Sequence, residues 1–186
     1  GRDREKISIG AYDLDGIELP IHYTVVSPDD EGFVPLDFDE KMSPQEILEK
    51  HPKGQEYRHL IEDYDKYPLL VGSDGKVLSM PPVINSDPAR VTTSSKNIAL
   101  DVTGTSEEVA SQALKVIMGA VAERGFDVRA VEVNRPDGRI RTPDFESRER
   151  SFNIHDANKK LGLDLGTKRA KELMEKINEF LKSESL

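Results

Sequence analysis

A carboxylate and a hydroxyl two residues apart on one strand are the first chemistry this sequence offers. Residues 97–103 alternate, so Ile98, Leu100 and Val102 fall on one face and Asn97, Ala99, Asp101 and Thr103 on the other. The first face is a core face. On the second, an ionised Asp101 accepts hydrogen bonds and the Thr103 hydroxyl can give or take one. Another hydroxyl lies on the clearest hairpin of the chain, residues 67–73 and 76–80 around Asp74-Gly75. Counting outward from a two-residue loop sets Leu70 opposite Ser79, and directly opposed residues share a face. Whether these two pairs meet is not decided by local spacing. A strand-face aspartate serves equally as a solvated group or a salt-bridge partner, and Ser79 as an ordinary cross-strand hydroxyl.

The remaining reactive groups form no constellation. His22, His51, His59 and His155 are scattered, with no HExxH pair and no Ser-His-Asp arrangement. His59 on a short helix fits a structural role as well as a chemical one, and Arg90 reads equally as a surface charge. Gly72-Ser73-Asp74-Gly75 is turn chemistry rather than a phosphate loop, since no P-loop lysine pattern or Rossmann fingerprint surrounds it. The chain has no cysteine, which removes disulfides, thiolate ligands and a thiol nucleophile and favours an intracellular setting. Its formal net charge of −9 opposes wholesale nucleic-acid binding, because phosphate affinity is built from clustered Lys and Arg. Any contact with RNA is expected to be local. No apolar run approaches the roughly 18–20 residues of a membrane span, and GRDREKISIG has no signal-peptide core. A soluble protein is expected.

Behind these groups stand the elements that must position them. Residues 7–12 and 19–26 read as strands joined by a tight connection at Asp13-Leu14-Asp15-Gly16, and Phe33-Val34-Pro35-Leu36 as a short edge piece. Ser43-Pro44-Gln45-Glu46 is a capping box that opens a helix to about Lys50, and Tyr57, Leu60 and Ile61 suggest a helical turn over 56–63. Thr105-Ser106-Glu107-Glu108 reads as a second capping box, opening a long apolar-striped helix that Gly125 ends. A strand over 128–133 turns at Pro136-Asp137-Gly138. The pattern predicts an α+β fold in which mixed or antiparallel sheets pack with one long helix, followed by a small C-terminal helical segment. From Thr142 the chain becomes more charged. A helix near 155–161, the segment Gly162-Leu163-Asp164-Leu165-Gly166, and a helix capped by Thr167 with Ala170, Leu173, Met174, Ile177, Phe180 and Leu181 in a stripe have the outline of a helix-turn-helix. Helical hairpins without nucleic acid share that outline.

"GAYDLDGI", "FVPL", "YPLLVGSDGKVLSMPPVINSD", "RVTTSSKNIALDVTGTS" and "RTPDFESRERSFNIHDANKKLGL" resemble, in order and spacing, the β subunit of archaeal and eukaryotic-type phenylalanyl-tRNA synthetase. The resemblance assigns residues 1–141 to an editing domain and 142–186 to the start of a helix-turn-helix-like, winged-helix-like domain. It implies hydrolysis of tyrosine wrongly attached to tRNA(Phe). An apolar synthetic pocket rejects an isostere with one added hydroxyl poorly, so a second, hydrogen-bonding site is a physical solution.

By position, the resemblance gives Leu70, Ser79, Asp101 and Thr103 the reading of the tyrosine hydroxyl, and Leu36 and Arg90 the terminal adenosine of the tRNA. Arg4 and His59 fall at the pocket or its rim. It implies no catalytic side chain and no metal, with hydrolysis resting on a positioned water and the substrate's own ribose hydroxyl. It further implies no cofactor for editing, ATP and magnesium only in the complete synthetase, an α subunit as partner in an α2β2 heterotetramer, the tRNA(Phe) acceptor end as ligand, no membrane, and a cytoplasmic location. The alternative is a non-catalytic module that positions tRNA or docks subunits.

Overall fold

The computed structural model describes residues 7–145 and 151–183, with side chains as far as Lys176. In chain order the elements are β1 (Ile7–Asp13), β2 (Ile21–Val26), α1 (Pro44–Lys50), α2 (Pro52–Tyr57), β3 (Tyr67–Gly72), β4 (Val77–Met80), β5 (Ile84–Asn85), β6 (Ile98–Gly104), α3 (Glu107–Ala122), β7 (Val131–Arg135), β8 (Gly138–Thr142), α4 (Ile154–Leu161) and α5 (Thr167–Ser183). This is an α+β fold in which every strand pair is antiparallel. Among the described residues it carries two long helices rather than one, since α5 has 17 residues and α3 has 16. The chain divides into two compact units, Gly1–Phe145 and Glu146–Leu186.

β1 and β2 are consecutive but belong to different sheets: β1 pairs with β6, and β2 joins the four-stranded order β2-β3-β4-β5. The turn after β1 shows why. Asp15 accepts from the backbone N–H groups of Lys96 and Asn97 (2.8 and 3.1 Å) and from Asn97 Nδ2 (2.8 Å), while Leu14 N–H donates to Asn97 O. Those bonds, Lys96 first, hold the Asp15 carboxyl below its usual range. The Asp-Leu-Asp-Gly turn thus clasps the entrance to β6 instead of closing a hairpin.

The four-stranded sheet is sealed on one face by α1 and α2. Ser43 and Glu46 form the expected reciprocal capping box. His51 then caps α2, its Nδ1 accepting from Lys53 N–H, and the expected turn over 56–63 resolves into the end of α2 and a 3₁₀ turn, Arg58–Leu60. Phe33, Met42, Ile47, Leu48, Ile61, Tyr67, Leu69, Met80 and Val83 make one continuous core here.

The β3–β4 hairpin reaches the expected Leu70–Ser79 pairing by a different route. Its loop has three residues, Ser73-Asp74-Gly75, because Gly72 N–H bonds Lys76 O and Gly75 adopts φ +79°. That shifts the register by one, so Val71 faces Val77, and a bulge at Leu78 restores Leu70 opposite Ser79. Without the bulge Ser79 would turn to the other face. Instead Leu78, Ser79 and Met80 are all buried.

α3 packs along β6, with its N-terminus capped by the Ser106 hydroxyl, which accepts from Val109 N–H at 3.4 Å. The cap is therefore one residue later than the expected Thr105–Glu108 box and is one-sided. β7 begins at Val131, later than the strand expected from 128, and turns into β8. In the second unit Asn153 caps α4, Gly162 ends it at φ +66°, and the Asn158 amide clasps both backbone groups of Leu165. Ala170 N–H donates to Gly166 O, which makes Gly166 the cap and Thr167 the first helical residue of α5. The side chains of Ile177, Phe180 and Leu181 lie outside the described residues. No helix among the described residues is long and apolar enough to cross a membrane.

Candidate active site

Strand registers decide which polar groups meet. In the β1–β6 pair Ser8 faces Thr103, Gly10 faces Asp101 and Tyr12 faces Ala99, so all six share one face. In the other sheet Tyr23 faces Leu70, Leu70 faces Ser79, and Ser79 faces Asn85. The two faces meet at Tyr12: its hydroxyl lies 2.9 Å from Ser79 Oγ, and beside it Asn85 Nδ2 donates to Ala11 O at 3.2 Å. Leu70 packs with Tyr12, Ile17, Leu78 and Ala89 in a small second core between the sheets.

A cleft of about 200 Å³ opens along this junction. Ser8, Gly10, Tyr12, Asp101 and Thr103 form its polar side, and Pro81, Pro82, Val83 and Ile84 its apolar side. Leu36, Asp37, His51 and Lys53 lie along the rim, and Ile9 and Asn85 complete the lining. Burial pushes the Asp101 carboxyl above its ordinary range, against the smaller opposing effect of the Val102 backbone hydrogen bond. Burial also raises the Tyr12 phenol, outweighing its hydrogen bond to Ser79, and the nearby Asp101 charge adds to the rise. Tyr23 is shifted upward by the same two causes. The cleft therefore pairs a desolvated acid with neutral hydroxyl groups, a set suited to hydrogen-bonding an uncharged polar ligand.

The rim is held from three sides. His51 is buried; its Nε2 bonds Leu36 O at 3.2 Å, its Nδ1 caps α2, and its ring packs on Phe38 with centroids 4.5 Å apart. Because Nδ1 accepts from an N–H, the proton of this neutral imidazole sits on Nε2 and is donated to Leu36. Asp37 takes the left-handed backbone at φ +68°, uncommon without glycine, and accepts from Arg90 Nη2 at 2.8 Å. Arg90 also bonds Asp87 through Nε and Nη2, at 3.0 and 2.9 Å.

Of the sequence-derived candidates, Asp101, Thr103 and Leu36 line the cleft directly. Ser79 is 1% exposed and reaches it through Tyr12, and Leu70 lies in the packing behind. Arg90 touches the rim through Asp37. His59 is exposed on the 3₁₀ turn and is not among the lining residues, and Arg4 lies outside the described residues. Sequence reasoning missed Tyr12, Gly10, Asp37 and His51. Tyr12 carried one usable signal, a tyrosine at the same strand parity as Gly10 with a glycine two residues away, but its partner is 67 residues distant.

No protein-family model matches the chain. It is 47% identical over 178 residues to the phenylalanine–tRNA ligase β subunit of Thermococcus kodakarensis, covering 95% of this chain and 31% of that protein. It is equally 47% identical to the β subunit of Pyrococcus furiosus, of which it covers 32%. The backbone matches an N-terminal fragment of the phenylalanyl-tRNA synthetase β subunit from Pyrococcus horikoshii with a TM-score of 0.84 at 46% identity, over 95% of this chain and 51% of that one. The chain thus spans about a third of the length of the curated relatives it matches. Homology along nearly all of its residues places this chain in the phenylalanine–tRNA ligase β-subunit family, as the counterpart of one segment of that subunit.

Proposed function

We propose that this chain is the proofreading segment of a phenylalanine–tRNA ligase, hydrolysing tyrosine mistakenly esterified to tRNA(Phe). The observation that carries the reading is the cleft itself: Asp101 and Thr103 line a space of about 200 Å³ together with the apolar residues Pro81, Pro82, Val83 and Ile84. An aromatic ring fits against those apolar residues, and its hydroxyl would meet the polar side. Asp101 accepts the phenolic proton, a charge-assisted bond contributing about 1.5–3 kcal/mol, or roughly tenfold to more than a hundredfold in preference. Phenylalanine would leave the same buried groups unpaired, the arrangement that gives hydrogen-bonding sites their largest discrimination.

Leu36 and the Arg90–Asp37 pair at the rim are assigned to the terminal adenosine, with Lys53 supplying positive charge in an otherwise acidic chain. Ser79 acts from behind through Tyr12. Hydrolysis joins a positioned water to the ester carbonyl and releases the ribose oxygen as a hydroxyl, the ribose's other hydroxyl orienting the water. ATP and magnesium are assigned to aminoacylation in the complete enzyme, and the α subunit, the α2β2 assembly and the cytoplasm to that enzyme's setting. A second reading, a module for docking or tRNA positioning, draws support from the open face of α3, where Val116 is 74% exposed.

Incubating the purified chain, and separately the complete synthetase, with tyrosyl- and phenylalanyl-tRNA(Phe) separates the two. Selective loss of the tyrosyl ester supports proofreading, and no loss with either preparation removes it. Asp101→Ala is expected to bring phenylalanyl ester cleavage closer to the tyrosyl rate.

A further inference from the structure

We propose that the Tyr12 hydroxyl is a further determinant of ligand choice in this cleft, donating to the oxygen of a phenolic ligand whose proton Asp101 accepts. The inference rests on the aromatic-alcohol reading above. It starts from three placements. A Cβ built on Gly10 would stand 2.3 Å from the Tyr12 hydroxyl, so the phenol lies across Gly10, and Gly10 is the cross-strand partner of Asp101. The same hydroxyl is 2.9 Å from Ser79 Oγ, and either group can donate. Tyr12 and Asp101 both line the cleft.

Proton counting then assigns directions. Two hydroxyls carry two protons, and their mutual bond uses one. When Ser79 donates to the Tyr12 oxygen, the Tyr12 proton is left to point into the cleft. Burial and the neighbouring carboxylate keep that proton in place, so Tyr12 remains a neutral donor. A phenol on a ligand needs both an acceptor for its proton and a donor for its oxygen. Asp101 is only an acceptor when ionised, and Tyr12 completes the pair. Ser79 is not among the residues that line the cleft, whereas Tyr12 is, so Ser79 orients Tyr12 rather than touching the ligand. A side chain at position 10 would push against the Tyr12 ring and shift it.

The test uses amide-linked, non-hydrolysable tyrosyl- and phenylalanyl-adenosine, titrated calorimetrically into the whole chain and three variants. Wild type is expected to prefer the tyrosyl compound by at least about tenfold, and Tyr12→Phe to lose about tenfold of that preference, the worth of one hydrogen bond. Gly10→Ala is expected to lose preference likewise by moving the ring. The double variant Tyr12→Phe/Ser79→Ala removes both hydroxyls, so its melting temperature is expected to recover towards wild type while its preference does not. Full preference in Tyr12→Phe, or recovery of preference together with stability in the double variant, overturns the role given to Tyr12. Should Tyr12→Phe fail to fold, the double variant decides by the same criterion. A wild-type chain with no preference overturns the aromatic-alcohol reading itself.

Discussion

On the α1–α2 side of the first unit, Ile47 and Met80 are completely buried, whereas on the α3 side Val116 and Val109 are 74% and 53% exposed and no α3 residue is buried. Both helices follow a regular apolar pattern, so periodicity alone does not explain the difference. α1 has partners on several elements: the bridge Phe33–Met42, the 3₁₀ turn and the sheet close around it. α3 has β6 and the ion pairs Arg135–Glu107 and Lys115–Asp144. Amphipathic sequence creates the demand for burial; only a second surface meets it. The cleft lies between these regions, taking its apolar wall from beside the sealed core and its polar floor from the β1–β6 pair.

If the contrast is real, equivalent truncations on the two sides must differ severalfold. Ile47→Ala is expected to destabilise by about 2–5 kcal/mol in urea unfolding, because its neighbours cannot collapse into the void. A cost below about 1 kcal/mol would mean the α1 side is not the closed core described. Ser79→Ala, at the junction, should cost about 1–3 kcal/mol by leaving the Tyr12 hydroxyl without its buried partner. A neutral result would show that water satisfies Tyr12 and that the junction is open.

Asp101 probes the cleft through pH. Its folded-state pKa is raised, so its contribution to stability is fullest below the ordinary carboxylate range and is lost as pH rises through the raised value. Stability measured for Asp101→Asn against wild type should therefore shift in the variant's favour as pH rises across that window, and a pH-independent difference would deny the burial. Tyrosyl preference should grow over the same window, as the carboxylate becomes purely an acceptor. Smallest of all, Val116→Ser is expected to change stability by no more than about 0.5 kcal/mol. A cost comparable with Ile47→Ala would show that α3 is covered in solution.

Several parts of this architecture were legible because their causes are local. The Ser43–Glu46 cap, the period-two pattern that sets Asp101 beside Thr103, and the hairpin bringing Leu70 to Ser79 each depend on residues within about a dozen positions. Even there, the hairpin hid two compensating irregularities, a longer loop and a bulge at Leu78, that leave the end of the count unchanged. The second capping box was misread by one residue because Thr105 and Ser106 are both competent caps, and only backbone geometry chooses between them.

What the sequence determined by itself was the strand face shared by Asp101 and Thr103, the pairing of Leu70 with Ser79 and the capped start of α1, since side-chain alternation and capping act between near neighbours. The tertiary structure alone decided that β1 pairs with β6 rather than β2, that Tyr12 meets Ser79 across 67 residues, and that Arg90 reaches Asp37 across 53. Those contacts join segments whose separate patterns fit many partners, and the choice among them is made by the burial and hydrogen-bond satisfaction of the whole chain at once.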